Sequence, residues 1–237
     1  MLPAQPKTTK AKDIEYLRYK IRQLEGYRGI SRTAETGLEA IQSGVTHEFI
    51  SHSPSEAAAA TGFLSALLTR LMGDKGAIVW IVKTKTVYAP GLLQFGLAPE
   101  RIIFAHVPQD RDALWAMEEC LRCKQLAAVV GEIREANLTA TRRLQLAAEG
   151  TGATGFLLRH NPKRTDNTAC ATRWRVRPAP GITDHLPGLG APAWHAELLR
   201  AKGSPPGEWH FAWQDGEIRT VHPAAKLQPI KLFAVGA

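Results

Sequence analysis

The alternation of apolar runs with helical segments restricts this chain to an α/β fold more than any other feature does. A strand at 45–50 leads into a long apolar helix, and AIVWIV at 77–82 is a second apolar run. Continuous apolar runs of this length are typical of buried parallel strands. Because helical segments separate these runs at short connections, they predict a mainly parallel sheet flanked by helices. Further runs lie at IIFAHV (102–107), LAAVVGEI (126–133) and GFLLRH (155–160).

The pattern changes in the last third of the chain. Asp215-Gly216 is a strong hairpin signal, and Pro- and Gly-rich turns separate the segments there. We therefore expect the sheet to continue as an antiparallel extension. The segments that alternate or cluster like antiparallel strands lie at 171–178, 193–202, 207–216 and 218–221.

A short amphipathic helix is predicted ahead of this core, at 13–25. Its apolar side chains recur at helical spacing. Two heptads are too short to form a stable coiled coil alone. The helix is therefore expected to pack on its own domain, on a second copy of the chain or on a partner helix. The apolar positions are Ile14, Leu17, Ile21 and Leu24.

The bend after the first strand is where a nucleotide-binding α/β protein would have its phosphate loop. Such a loop uses glycines, which let the backbone approach, and a lysine for the phosphates. Here the bend is SHSPSE (51–56), followed by four alanines, and it has neither glycine nor lysine. It also carries a carboxylate that would repel phosphate. The sequence therefore predicts a degenerate nucleotide site at Ser53, Ser55, Glu56 and Ala58.

Glu132 completes this predicted site. It stands at the end of the fourth strand, where a magnesium-holding carboxylate could lie, although a glutamate after Gly131 equally fits a simple strand exit. A second carboxylate would be expected after the second strand, but Lys83, Thr84 and Lys85 stand there. Hydrolysis of ATP is therefore not expected.

Charge is unevenly distributed along the 237 residues, whose net charge is +8. Residues 1–44 carry 8 basic and 5 acidic groups, residues 159–237 carry 11 and 6, and the stretch between them carries 11 of each. Basic ends favour contact with a polyanion or an acidic partner, or form a solvated surface kept for solubility.

No apolar run approaches the roughly 18 residues that span a bilayer. With three cysteines and no secretory signal, we expect a cytoplasmic protein.

Neither a metal site nor a catalytic constellation is predicted, and no cofactor follows from the residues. Cys120 and Cys123 lie on a predicted helix without a second pair, which favours packing. The histidines share no metal-ligand spacing, and no serine occupies a nucleophile-elbow motif. Asp110, at the start of the same helix, is a candidate N-cap.

Basic side chains gather at the carboxyl end of the fifth strand and on the strand after it. That edge is where doubly wound sheets bind ligands. Arginines interleaved with an aromatic residue suit single-stranded nucleic acid, through phosphate pairing and base stacking. The string RWRVR equally predicts an ordinary strand, with arginines exposed on one face and Trp174 and Val176 on the other. The candidate nucleic-acid contacts are Arg159, Lys163, Arg164, Arg173 and Arg175.

Several strings, in this order, resemble the ImuA family, the RecA-like proteins of bacterial DNA-damage-induced (SOS) mutagenesis cassettes. They are GLEAI, GVTHEF, AAAATGF, YAPGL, RDALWAMEECLRC, LTATRRLQLAAE, ATRWRVRPAP and WHAELLRAKGSPPGEW. LTATRRLQLAAE and TRWRVRPAP are fairly specific, and the resemblance covers residues 14–213. It implies a degenerate RecA-like core at 45–221, between an N-terminal helix and connector (1–44) and a C-terminal tail (222–237).

The resemblance implies a binding protein rather than an enzyme. ImuA-like proteins act with ImuB, an inactive relative of Y-family polymerases, and with an error-prone DnaE-type polymerase in translesion DNA synthesis, and some contact RecA. The N-terminal helix resembles the segment by which RecA protomers join their neighbours, which gives its apolar stripe a role in homo-oligomers or RecA contact. The first DNA loop of RecA is reduced to the turn at 135–137 and the second to roughly 160–169, so strand exchange is not expected.

Three hypotheses follow. The first is a non-catalytic RecA-like scaffold in mutagenic lesion bypass. The second is a divergent DNA-dependent ATPase that uses Glu132 and the lysines after the second strand. The third is a cell-division inhibitor like SulA, a class that also resembles RecA without a phosphate loop.

Overall fold

The computed structural model describes residues 37–72, 76–84, 87–165, 167–182, 190–202 and 205–221. The strands there are β1 (Thr46–Ser51), β2 (Ala77–Val82), β3 (Ile102–His106), β4 (Leu126–Glu132), β5 (Thr154–His160), β6 (Thr172–Ile182), β7 (Ala191–Ala201), β8 (Gly207–Gln214) and β9 (Glu217–Val221). The α-helices are α1 (Pro54–Met72), α2 (Asp110–Leu121) and α3 (Leu138–Glu149). Short 3₁₀ helices span Leu38–Ala40, Ala89–Phe95 and Pro99–Arg101.

The described strands form one sheet in the order β3-β2-β4-β5-β1-β6-β7-β8-β9. Pairing is parallel from β3 across to β6 and antiparallel from β6 to β9. This confirms the predicted fold class. One pairing was not predicted: β6 lies parallel to β1 on one side and antiparallel to β7 on the other. It therefore joins the parallel part of the sheet to the extension.

Helix α1 packs along one face of the sheet and crosses from the parallel strands onto the extension. Its Phe63 is fully buried, with its ring centroid 6.2 Å from that of Phe49 on β1 and 5.3 Å from that of Phe211 on β8. Trp194 of β7 lies 5.7 Å away on the same side. Burying these rings removes a large apolar area from water, so one helix holds both parts of the sheet together.

Helices α2 and α3 cover the other face of the parallel strands. Met117 and Leu121 of α2 and Leu144 of α3 are buried there against Leu157 of β5. The alternation predicted for β6 is also present, since Trp174 and Val176 are buried in the α1 core.

In the part of the chain that the structure describes, no helix combines the length and apolarity needed to cross a membrane. The predicted N-terminal helix, with Ile14, Leu17, Ile21 and Leu24, lies outside the described residues, and so does the predicted tail at 222–237. The division into 1–44, 45–221 and 222–237 therefore stays a prediction.

Candidate functional site

The bend between β1 and α1 is a capped helix start. Pro54 is the first helical residue, where its fixed backbone angle and missing N–H suit the first turn. The Oγ of Ser53 accepts the backbone N–H of Glu56 at 3.2 Å, and Ser53 Oγ lies 2.9 Å from Ser55 Oγ. The Glu56 carboxylate reaches back to accept the backbone N–H of His52 at 2.8 Å. This is a variant of the capping box, in which a glutamate at the third helical position returns to the residues before the helix.

The same carboxylate is held from the sheet by an arginine. Nη2 of Arg175, on β6, donates to Glu56 Oε1 at 2.6 Å, while Oε2 takes the N–H of His52. Burial acts to raise the pKa of Glu56, but the hydrogen bonds and charge of Arg175, with the N–H of His52, lower it. A helix N-terminus favours an anion through its free N–H groups and its dipole. Here the N–H of Glu56 is taken by Ser53 Oγ, and the Glu56 carboxylate lies beside the helix start, bound to the N–H of His52 and to Arg175.

A groove of about 850 Å³ lies beside this bend, at the carboxyl edge of the parallel strands. Ala58, one of the predicted site residues, lines its wall, and Glu132 and His160 line its polar side. Lys83, Thr84 and Arg134 also line it. The apolar part of the lining comes from α1, from residues 87–95 and from the start of β7: Pro54, Ala57, Gly62, Val87, Tyr88, Leu92, Phe95, Pro192 and Trp194. The structure therefore brings Ala58 and Glu132 to one cavity.

Glu132 is buried at the end of β4, with 4% of its surface exposed. Burial raises the pKa of its carboxyl group, against the opposing effects of the Lys83 backbone N–H and charge. That N–H donates to Glu132 Oε2 at 3.4 Å. The Lys83 ammonium points elsewhere and donates to Asp110 Oδ1 at 2.8 Å. The divergent-ATPase hypothesis needs Glu132 and the lysines after β2 together. For Lys83 the structure shows the backbone N–H on Glu132 and the ammonium on Asp110, and Lys85 lies outside the described residues.

Asp110 is a connecting residue that the sequence did not reveal. It was expected to cap α2, but it is the first helical residue, and Gln109 before it makes no capping hydrogen bond with its side chain. Its carboxylate instead accepts the ammonium of Lys83 and the backbone N–H groups of Arg134 and Glu135, both at 3.1 Å. Partial burial acts to raise the pKa of Asp110, but these donors lower it. The carboxylate thus ties together the ends of β2 and β4.

A further carboxylate, that of Glu48 on β1, binds two of the predicted nucleic-acid contacts. Its side chain is fully buried and pairs with Arg159 Nη1 at 2.7 Å and with Arg173 Nε at 2.8 Å. Arg159 also donates to the carbonyl oxygens of Arg134 and Arg164. The side chain of Arg159 is only 2% exposed and lies inside this cluster rather than at the surface. Its contact with nucleic acid stays a prediction. A glutamate inside a buried strand was the signal that could have revealed this cluster.

Sequence comparison with known proteins gives the family. Two proteins named ImuA, from Caulobacter vibrioides strains NA1000 (CB15N) and ATCC 19089 (CB 15), are each 36% identical to this chain over 169 residues. The matched stretch is 67% of this chain and 69% of each relative. The chain belongs to the ImuA family. No protein-family model matches it.

Solved structures place the fold of this ImuA-family chain. The RadB recombinase superposes with a TM-score of 0.54 at 15% sequence identity, over 81% of this chain and 99% of that structure. This likeness supports the RecA-like fold and nothing beyond it. SulA from Pseudomonas aeruginosa gives a TM-score of 0.42 at 20% identity, over 48% of this chain and 97% of that structure. A score this low carries no argument for the SulA-like hypothesis.

The other four predicted nucleic-acid contacts of this ImuA-family chain differ in how exposed they are. Lys163 and Arg164 are exposed on the loop after β5. Arg173 is mostly buried on Glu48, and Arg175 is engaged with Glu56 while 30% of its side chain stays exposed. Two of the five predicted side chains therefore lie open at the surface in the part of the chain that the structure describes.

Proposed function

We propose that this ImuA-family chain is a non-catalytic, RecA-like accessory protein of SOS-induced mutagenic translesion DNA synthesis in the cytoplasm. It acts as a scaffold for an ImuB-like inactive Y-family polymerase and, through it, an error-prone DnaE-type polymerase. RecA and a second copy of the chain are the proposed partners of the N-terminal helix. Family membership and the RecA-like fold support this proposal.

One observation carries the non-catalytic part of the proposal: the Glu56 carboxylate lies at the N-terminus of α1 and is held there by Arg175. At that helix end Ser53 already accepts the N–H groups of Glu56 and Ala57, through its Oγ and its carbonyl oxygen, so these groups are not free for a phosphate. Displacing Glu56 would cost its hydrogen bond to His52 and leave Arg175 without its partner. The helix start therefore favours its present contacts over a nucleotide.

The scaffold proposal is tested by size-exclusion chromatography of the full chain with the ImuB-like protein and, separately, with RecA. We expect co-elution with the ImuB-like protein. A matched chain lacking residues 1–26 reports whether the N-terminal helix carries the RecA contact. Separate elution from both proteins at micromolar concentrations would overturn the scaffold role.

The ATPase alternative is kept because Glu132, a buried acid with a raised pKa, lines the groove of about 850 Å³. Calorimetric titration with magnesium ATP distinguishes the two functions. We expect no saturable heat. Micromolar binding with DNA-stimulated phosphate release, both lost in Glu132→Ala, would replace the scaffold proposal by a divergent ATPase.

A further inference from the structure

Two histidines and two glutamates form a rectangle on the face of β7 and β8 that points away from α1. The two strands run antiparallel, with His195 opposite His210 and Glu197 opposite Glu208. Residues two apart on a strand lie on the same face, and directly opposed residues have neighbouring Cβ atoms. The motif His-x-Glu on β7 therefore faces Glu-x-His on β8. The two motifs are too far apart in sequence to form a recognisable metal-binding motif. The cluster arises only because β7 and β8 pair antiparallel.

The side chains of this cluster already converge. One ligand atom each from His195, Glu197 and Glu208 lie within 4.8 Å of one another. His195 Nε2 is 3.2 Å from Glu208 Oε2, and Nδ1 is 3.9 Å from Glu197 Oε1. The ring of His210 stacks on His195, with centroids 4.6 Å apart and planes inclined by 25°. His210 thus lies against His195, the one histidine of the converging group.

We propose that this cluster binds a divalent transition-metal ion of the Zn²⁺ class. Imidazole nitrogens with carboxylate oxygens are a donor set that such ions take, whereas Mg²⁺ and Ca²⁺ prefer oxygen alone. The ligands are His195, Glu197 and Glu208. The side chain of Glu208 is 71% exposed and that of His195 is 17% exposed, so solvent reaches the site.

Arg177 is the competitor for this site. From β6, opposite His195, its Nη2 donates to His195 Nδ1 at 3.1 Å and also pairs with Glu197. Its neighbour Arg175 stands opposite Glu197 in the same register but is engaged with Glu56. A metal ion must therefore displace the Arg177 guanidinium from at least part of this contact. Removing that guanidinium should strengthen metal binding.

The site is tested on the full chain by titration with Co²⁺, followed by displacement with Zn²⁺. We expect one Co²⁺ per chain with weak visible d–d absorption, and release of that ion by Zn²⁺. The intense near-ultraviolet sulfur-to-cobalt band that Cys120 or Cys123 would give should be absent. Because its ligands must be deprotonated, binding should weaken as the pH falls.

Substitutions at the proposed ligands test whether the ion binds at this cluster. Glu208→Gln and His195→Ala should each weaken Co²⁺ binding by about tenfold or more, and Arg177→Gln should strengthen it. His106→Ala, on the distant edge strand β3, is the matched control and should leave the affinity unchanged. Glu208 is exposed, so its variant decides the outcome even if His195→Ala fails to fold. The absence of binding, a thiolate band, or equal affinity in wild type and Glu208→Gln would each overturn the proposal.

Discussion

Arg175 on β6 donates to the carboxylate of Glu56 in the first turn of α1, with Nη2 and Oε1 2.6 Å apart. The two residues are separated by 119 positions, and the parallel pairing of β6 with β1 brings them together. This ion pair gives the bend after β1 an internal anion. Arg175, one of the five predicted nucleic-acid contacts, is therefore already bound to a carboxylate of the chain itself.

Glu56→Gln should destabilise the chain by about 1 kcal/mol, since it weakens the capping contact with His52 and removes the charge that Arg175 neutralises. Urea denaturation measures the change. Glu100→Gln, at an exposed glutamate, is the matched control and should change stability by less than about 0.5 kcal/mol. The pKa of Glu56 is lowered in the folded chain from its ordinary 4.5, so its stabilisation is present above that pH and is lost as the pH falls through the folded value. Equal stability of Glu56→Gln and wild type at pH 7 would contradict this.

Glu132→Gln should stabilise the chain, which is the opposite of the effect expected for Glu56→Gln. Burial raises the pKa of Glu132, so the ionised form disfavours folding above the ordinary value of 4.5. The neutral amide should therefore stabilise the chain at pH 7, and the gain should disappear in acid below that value. Thermal unfolding of both proteins at pH 7 and pH 4 tests this. A loss of stability at pH 7 would mean that the hydrogen bond and charge of Lys83 outweigh the cost of burying the carboxylate.

His47 should make the fold sensitive to mild acid. Its ring is buried, 2.8 Å from both Thr172 Oγ1 and the Gln42 carbonyl oxygen, and stacks on Phe156. Burial lowers its pKa from 6.5 to about 4, against the hydrogen bond to Gln42. The unfolded chain therefore binds the proton first, and stability should fall as the pH drops from about 6.5 towards 4, by roughly 3 kcal/mol in all. Titration of the His47 ring by NMR checks this, and an apparent pKa near 6.5 would refute it.

Glu48→Ala should be the most damaging of these changes, at roughly 3–5 kcal/mol, because it removes the buried carboxylate that Arg159 and Arg173 share and leaves Arg159 only the longer contact with Glu135 at 3.5 Å. Glu217→Ala is the control, since it removes an exposed partner of Arg219 and should cost less than about 1 kcal/mol. Chemical denaturation of both variants gives the comparison. Similar losses would show that the buried cluster contributes no more than a surface pair.

Binding of single-stranded DNA should depend on Lys163 and Arg164. Replacing both by alanine should weaken binding at low salt and reduce the slope of log affinity against log salt by up to about 1.4, since each phosphate contact to a single strand contributes roughly 0.7. Fluorescence anisotropy with a labelled oligonucleotide measures both quantities. Arg101→Ala, at a basic residue beside edge strand β3, is the control. Unchanged affinity and slope in the double variant would remove this loop from any DNA contact.

The features of this fold that could be predicted from the sequence are those set by local residue patterns. The strands at 77–82 and 155–160 were predicted because continuous apolar runs must be buried on both faces of a sheet. The predicted fold class followed from their alternation with helices. The capping box of Ser53 and Glu56 was equally readable from its S-x-x-E spacing and was missed. Glu56 was recognised only as a charge hostile to phosphate.

The sequence by itself determined the order of strands and helices, because helix and strand formation follow the pattern of neighbouring residues. It also showed directly that the bend after β1 has neither glycine nor lysine. Only the tertiary structure decided which charges meet. Glu48 pairs with Arg159 across 111 residues, and the His195 and Glu208 motifs converge through antiparallel pairing. The physical reason is that sheet order and register place side chains in contact regardless of their separation along the chain.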